Sequence, residues 1–126
     1  MKKKYLVGLG LLILISFLLL SNTNNEKISG NAIIDQVTII ENKYVCMVND
    51  DVYDTPQIPV PIDGKTYYGC CMGCKAKLEN DINTRYAIDP ISNNKVDKAT
   101  AIIGQTNSGK VLYFESQENF NKYNKN

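Results

Sequence analysis

The sequence contains no histidine. Imidazole is the usual base near neutral pH and the commonest metal ligand. Its absence excludes every site that needs it in either role, and removes the serine- and cysteine-hydrolase triads in one step. A basic stripe is missing too. Once Lys2, Lys3 and Lys4 are set aside, 11 of the 14 basic residues face 13 acidic ones, so nucleic acid is not an expected partner. There are no paired carboxylates in a recognisable cleft and no phosphate-cradling glycine loop. Residues 104–110 (GQTNSGK) match the G-x4-G-K spacing of such a loop, but Val111 stands where Ser or Thr is required, and a hairpin turn accounts for the glycines better. These absences argue against an enzyme. No cysteine follows the N-terminal apolar run directly, so a lipid-modified N-terminus is not expected either.

That run covers residues 6–20, interrupted only by Gly8, Gly10 and Ser16 and preceded by Lys2-Lys3-Lys4. A positive start followed by a short apolar stretch is the pattern of a secretory signal. As a helix it would be roughly 22 Å long, against a bilayer core of about 30 Å. Leu19 and Ser21 only half satisfy the small-residue rule for cleavage. Residues 1–21 are therefore expected to be a signal peptide or a membrane anchor, and the rest to lie in the periplasm or at the cell surface. Residues 22–42 read as a linker and leading element: an Asn-rich spacer (SNTNNEK), then AIIDQVTII, a short strand or helix that periodicity does not decide.

The exported part, about 100 residues, is short for a generous core, and small exported domains usually compensate with disulfides or a metal. Residues 58–62 and 65–68 are β-prone runs around Asp63-Gly64, a pair that suits a two-residue hairpin turn. Pro59 and Pro61 remove backbone donors and place the first of these strands at an edge. Residues 75–83 (KAKLENDIN) can form a helix with Leu78 and Ile82 on one face. The same plan recurs in residues 99–104, the turn Thr106-Asn107-Ser108-Gly109, the run 110–114, and Ser116 as N-cap of a short helix through Phe120 and Tyr123. Matching Gly64 to Gly109 sets Cys70 and Cys74 opposite Glu115 and Asn119. The expected fold is α+β, with hairpin-plus-helix modules in tandem over 43–86 and 87–126, behind the N-terminal hydrophobic helix.

Chemistry is concentrated in four cysteines. They are spaced Cys46-x23-Cys70-x3-Cys74, with Cys71 between the last two. A distant cysteine meeting a close pair at a helix start is a common way to surround a metal ion. Thiolates are soft donors suited to copper(I) and zinc. Met47 and Met72 could add thioether sulfur, although ordinary packing explains methionines beside a small core better. Asp50 and Asp51 lie close enough in sequence to be considered as a further ligand. Cys70 and Cys71 are neighbours whose side chains diverge, so both are not expected on one ion. In an oxidising compartment the same cysteines could instead be disulfide staples of an exported interaction module without metal chemistry. Cys71-x-x-Cys74 also has redox-pair spacing, but the flanking pattern is not that of a thioredoxin fold.

The run Tyr67-Tyr68-Gly69-Cys70-Cys71-Met72-Gly73-Cys74-Lys75, with Cys46 upstream, resembles the TRASH and YHS group of small heavy-metal-binding modules. Asp89-Pro90-Ile91-Ser92-Asn93-Asn94-Lys95-Val96 is similar to the other signature of that group, with Ser92 where its cysteine would stand. The resemblance implies a treble-clef-like hairpin and helix, and metal binding through Cys46, Cys70 and Cys74; Cys71, which the family pattern does not include, is kept beside them as an alternative or fourth ligand. The second copy would be degenerate, supplying core rather than ligands. Copper(I) ahead of zinc would be the cargo, carried, sensed or scavenged, and passed to a membrane metal transporter or a metalloprotein acceptor. The first half departs from the pattern in lacking Asp-Pro, in a slightly long spacing and in the additional Cys71.

Overall fold

The computed structural model describes residues 35–126. The signal or anchor expected over 1–21 and most of the linker lie outside the described residues. Among the described residues no helix is long and apolar enough to cross a membrane.

Among the described residues the fold is α+β, built from small antiparallel sheets and two helices. Strand β1 (Val37–Ile40) leads. A 3-10 turn (Asn42–Tyr44), β2 (Val45–Cys46), β3 (Asp51–Val52), β4 (Ile58–Ile62), β5 (Lys65–Gly69) and α1 (Met72–Asn80) follow. The same order then returns: a 3-10 turn (Ile82–Arg85), β6 (Tyr86–Ile88), β7 (Lys95–Asp97), β8 (Ile102–Thr106), β9 (Val111–Phe114) and α2 (Gln117–Tyr123). The sheets are β2-β3, β4-β5, β6-β7 and the three-stranded β1-β8-β9.

Local chemistry explains the hairpins. Asp63 and Gly64 take φ of 51° and 77°, the left-handed conformation that a two-residue turn between right-twisted strands demands. Ile62 and Lys65 flank this turn as a pair. Alternation then turns the backbone groups of Pro59 and Pro61 away from β5. The outer edge of β4 thus offers carbonyls but no N–H groups at these two positions, which blunts it against pairing with another strand. The corresponding edge of β8 is covered by β1, with Thr38 opposite Gln105 and Ile40 opposite Ile103. Residues 37–40 are therefore strand, tied to the second half of the chain. Gly104 makes this approach possible, since a Cβ there would lie 2.2 Å from Val37 Cγ1.

Helix α1 begins a turn earlier than the sequence suggests, because the thiol of Cys71 serves as N-cap. It also ends earlier. Arg85 donates from Nε to the carbonyl of Leu78 at 2.7 Å and from Nη2 to that of Glu79 at 2.8 Å, satisfying carbonyls at the helix end. Ile82 consequently falls in the following 3-10 turn and is exposed, leaving Leu78 as the buried residue of the helix.

The two halves share one core. Val45, Met47, Val60, Tyr67 and Leu78 from the first pack with Val96, Ala101, Ile103, Val111 and Tyr113 from the second. A smaller cluster of Val37, Leu112, Phe114 and Phe120 lies under α2, with the Phe114 and Phe120 rings edge-to-face at 5.4 Å. Polar contacts join the halves as well. Tyr67 donates its hydroxyl to Asp97, and the Lys65 ammonium meets the same carboxylate at 2.7 Å.

Candidate metal centre

Cys46 ends β2 at the start of a tight knuckle. The backbone N–H of Asp50 donates to the carbonyl of Cys46 at 2.8 Å, and Asp50 closes the turn at φ 56°. The turn wraps the sulfur in donors: burial by itself would raise the Cys46 pKa, but the N–H groups of Asn49, Val48 and Cys70 outweigh it and the thiol is lowered. The other side of the site is the step from β5 into α1. Cys70 directly follows the strand, and Cys74 sits in the first helical turn. Gly69 lets the first turn of the helix lie close against the end of β5, since a Cβ there would stand 3.0 Å from Cys74 Cβ.

These two segments bring Cys46, Cys70 and Cys74 together, with all three sulfurs within 4.8 Å of one another. Cys70 and Cys74 are 3.6 Å apart. Metal–thiolate bonds of about 2.3 Å in tetrahedral arrangement put sulfurs about 3.8 Å apart, so the triangle has the size a metal ion requires. Its electrostatics favour a cation too. Burial and the neighbouring sulfurs of Cys71, Cys70 and Cys46 push the Cys74 thiol up to about 12. The thiol of Cys70 is raised as well: contact with Cys74 lowers it, while contact with Cys46 and burial together prevail. Three clustered thiols resist shedding all their protons alone, and a bound cation removes that resistance.

All four cysteines are free thiols. Cys71 is not a corner of the triangle. It is exposed, and its sulfur accepts from the Cys74 N–H at 3.4 Å. Met47 is fully buried in the shared core, which makes it packing rather than ligand, whereas Met72 is 67% exposed on the first residue of α1. Asp50 is committed elsewhere: its Oδ1 receives Lys98 Nζ at 2.8 Å and the Tyr113 hydroxyl at 2.6 Å. Asp51 is exposed on β3.

Several contributors were not legible in the sequence. Lys98, 5% exposed, also donates to the carbonyl of Met47 at 2.8 Å, so a residue of the second half fixes the knuckle of the first. Asn49 reaches toward Cys70 Sγ at 4.0 Å and donates to the Tyr53 hydroxyl at 3.2 Å, while Tyr53 itself lowers the Cys70 thiol. Nothing in the spacing of these residues announced them.

The second half repeats the geometry with other atoms. Asn93 N–H donates to the carbonyl of Asp89 at 2.9 Å, and Asn93 has φ 61°, as Asp50 does relative to Cys46. Ser116 caps α2 by accepting from the Asn119 N–H, as Cys71 caps α1 through Cys74. The counterparts of Cys46, Cys70 and Cys74 are thus Asp89, Glu115 and Asn119. This corrects the expectation that Ser92 replaces the distant cysteine: Ser92 lies inside the knuckle, where its N–H donates to Asp89 at 3.2 Å. Asn119 Nδ2 donates to Asp89 Oδ2 and to Glu115 Oε1, both at 3.0 Å, and the Glu115 N–H donates to Asp89 Oδ2 at 2.8 Å. Hydrogen bonds here link the segments that three sulfurs bring together in the first half.

The site and fold define an α+β protein with a three-cysteine group able to hold a metal ion. Compared with known proteins, the chain finds no counterpart: no family model, no curated protein and no solved structure matches it.

Proposed function

We propose that the chain is an extracytoplasmic soft-metal-binding protein that carries, senses or scavenges its ion through Cys46, Cys70 and Cys74. The observation that carries this reading is the three-sulfur triangle within 4.8 Å, assembled from two separate segments. Copper(I) stands ahead of zinc, because thiolates are soft donors and zinc sites normally require four ligands. Met47 and Asp50 are both engaged elsewhere, so neither supplies a fourth. The cysteine-bearing knuckle, hairpin and helix form a treble-clef-like unit of the TRASH and YHS kind, with the second unit as its thiol-free partner. The basic and apolar N-terminal sequence supports export, with a membrane transporter or a metalloprotein as the receiving partner.

Metal binding of this kind leaves the polypeptide folded in both states. One core runs through both halves, and the second half closes its own knuckle with hydrogen bonds. That property suits a carrier, since a structural zinc module unfolds when the ion leaves. Native mass spectrometry of the chain isolated without added metal tests the proposal. One copper or zinc ion per chain, lost on acidification as the thiolates reprotonate, is the expected result. A metal-free mass short by the hydrogens of two disulfides, unmoved by added metal, would establish the stapled interaction module instead.

A further inference from the structure

Cys71 is unexplained by the metal triangle and also by helix capping. The equivalent residue of the second half, Ser116, caps its helix by the same i-to-i+3 bond with an ordinary hydroxyl. Serine is the better N-cap, and a surface thiol is open to oxidation, so capping alone does not select cysteine at this position. The thiol is placed where it can act. It is exposed, and its sulfur accepts from the Cys74 N–H at 3.4 Å. Of the two residues between them, Met72 is exposed and Gly73 adds no side chain; even a Cβ at Gly73 would stand 3.7 Å from Cys71 Sγ.

We propose that Cys71 and Cys74 form a thiol–disulfide exchange site that releases the bound metal when it meets a disulfide, either a small molecule or an exposed protein disulfide. This rests on the reading of Cys46, Cys70 and Cys74 as the metal ligands. The Cys71 thiolate attacks one sulfur of R–S–S–R, forming a Cys71–S–S–R mixed disulfide and expelling one R–S⁻. The Cys74 thiolate leaves the ion and attacks Cys71 Sγ, closing the Cys71–Cys74 disulfide and expelling the second R–S⁻. Two protein thiolates lose two electrons in total, the external disulfide gains them, and the metal keeps its oxidation state. It is left with Cys46 and Cys70 alone, and an ion that needs more than two ligands, such as zinc, dissociates. A dithiol reverses the sequence and restores the site. The accessible nucleophile and the ligand it removes are thus one helical turn apart, and the chain would deliver its ion where disulfides are abundant.

Zinc serves as the probe because it has no redox chemistry of its own. The full-length chain and its Cys71→Ser variant are compared at equal zinc loading, mixed with excess oxidised glutathione, and followed with a colorimetric zinc chelator and by peptide mass mapping. The wild type should release its zinc together with a Cys71–Cys74 disulfide, and the variant should release it at least about tenfold more slowly. Equal release rates, a disulfide mapped to Cys46 or Cys70, or a variant that cannot be loaded would each overturn the proposal. If the wild type takes up neither zinc nor copper(I), the metal reading fails separately. The exchange pair is then judged on the mapping alone, where a disulfide other than Cys71–Cys74 overturns it.

Discussion

Replacing Cys74 by serine should lower metal affinity by roughly a hundredfold or more, and Cys46→Ser should do the same, while circular dichroism of both variants stays that of the wild type. The hydroxyl matches the thiol in shape but is a hard donor that does not ionise near neutral pH, so a three-sulfur site becomes a two-sulfur one. The fold should survive because Cys74 lies at a helix start, outside the shared core. Cys46 is buried, but the N–H groups of Asn49, Val48 and Cys70 can donate to a hydroxyl oxygen as they do to sulfur. Ser92→Ala is the contrasting variant. Its hydroxyl accepts only the N–H of Asn94 at 3.3 Å, in the knuckle that has no thiol, and metal affinity should not change. Competition titration against a chelator of known affinity makes the measurement. Unchanged affinity in both cysteine variants would remove the site.

How much of this was readable beforehand follows the range of the interactions. The Asp63-Gly64 turn, the edge character set by Pro59 and Pro61, and the Ser116 cap are decided within a few residues, and the sequence shows each of them. The start of α1 was misjudged because the cap is a thiol, and sulfur is not among the usual capping atoms. Pairing of β1 with β8 joins residues far apart in sequence, and no local pattern encodes it. The resemblance singled out Cys46, Cys70 and Cys74, which the fold brings together, whereas nothing in the sequence pointed to the residues that hold their knuckle. Lys98 looks like any surface lysine until the fold carries its ammonium to Met47 and Asp50. Similarity to a signature points to Ser92 because it aligns residue positions; the fold counts instead which backbone carbonyl closes the turn, and that is Asp89.

Asp89→Ala should cost about 4 kcal/mol of stability, enough to leave a small domain of ordinary stability marginal. The Asp89 side chain is fully buried and its two oxygens collect four donors: the N–H groups of Ile91, Ser92 and Glu115 and the amide of Asn119. Removing the acceptor strands the three backbone N–H groups and leaves the Asn119 amide only its bond to Glu115, and an unpaired donor away from water costs more than its hydrogen bond contributed when made. The same network sets a pH limit. Burial alone would raise the Asp89 pKa, but the hydrogen bonds from Asn119, Glu115, Ile91 and Ser92 hold it below the ordinary 3.8. A carboxylate depressed by folding contributes its full stability above the unfolded value and loses it as pH falls through the native one. Urea midpoints of the wild type should therefore drop below about pH 4 more steeply than those of Asp89→Asn, which has no charge to lose. Parallel curves would mean that the carboxylate does not carry the knuckle. Converting Asp89, Glu115 and Asn119 together to cysteine exchanges the network for a second set of three thiols. That chain should be unstable alone, recover on adding zinc and bind one ion more than the wild type; failure to recover would break the equivalence of the two knuckles.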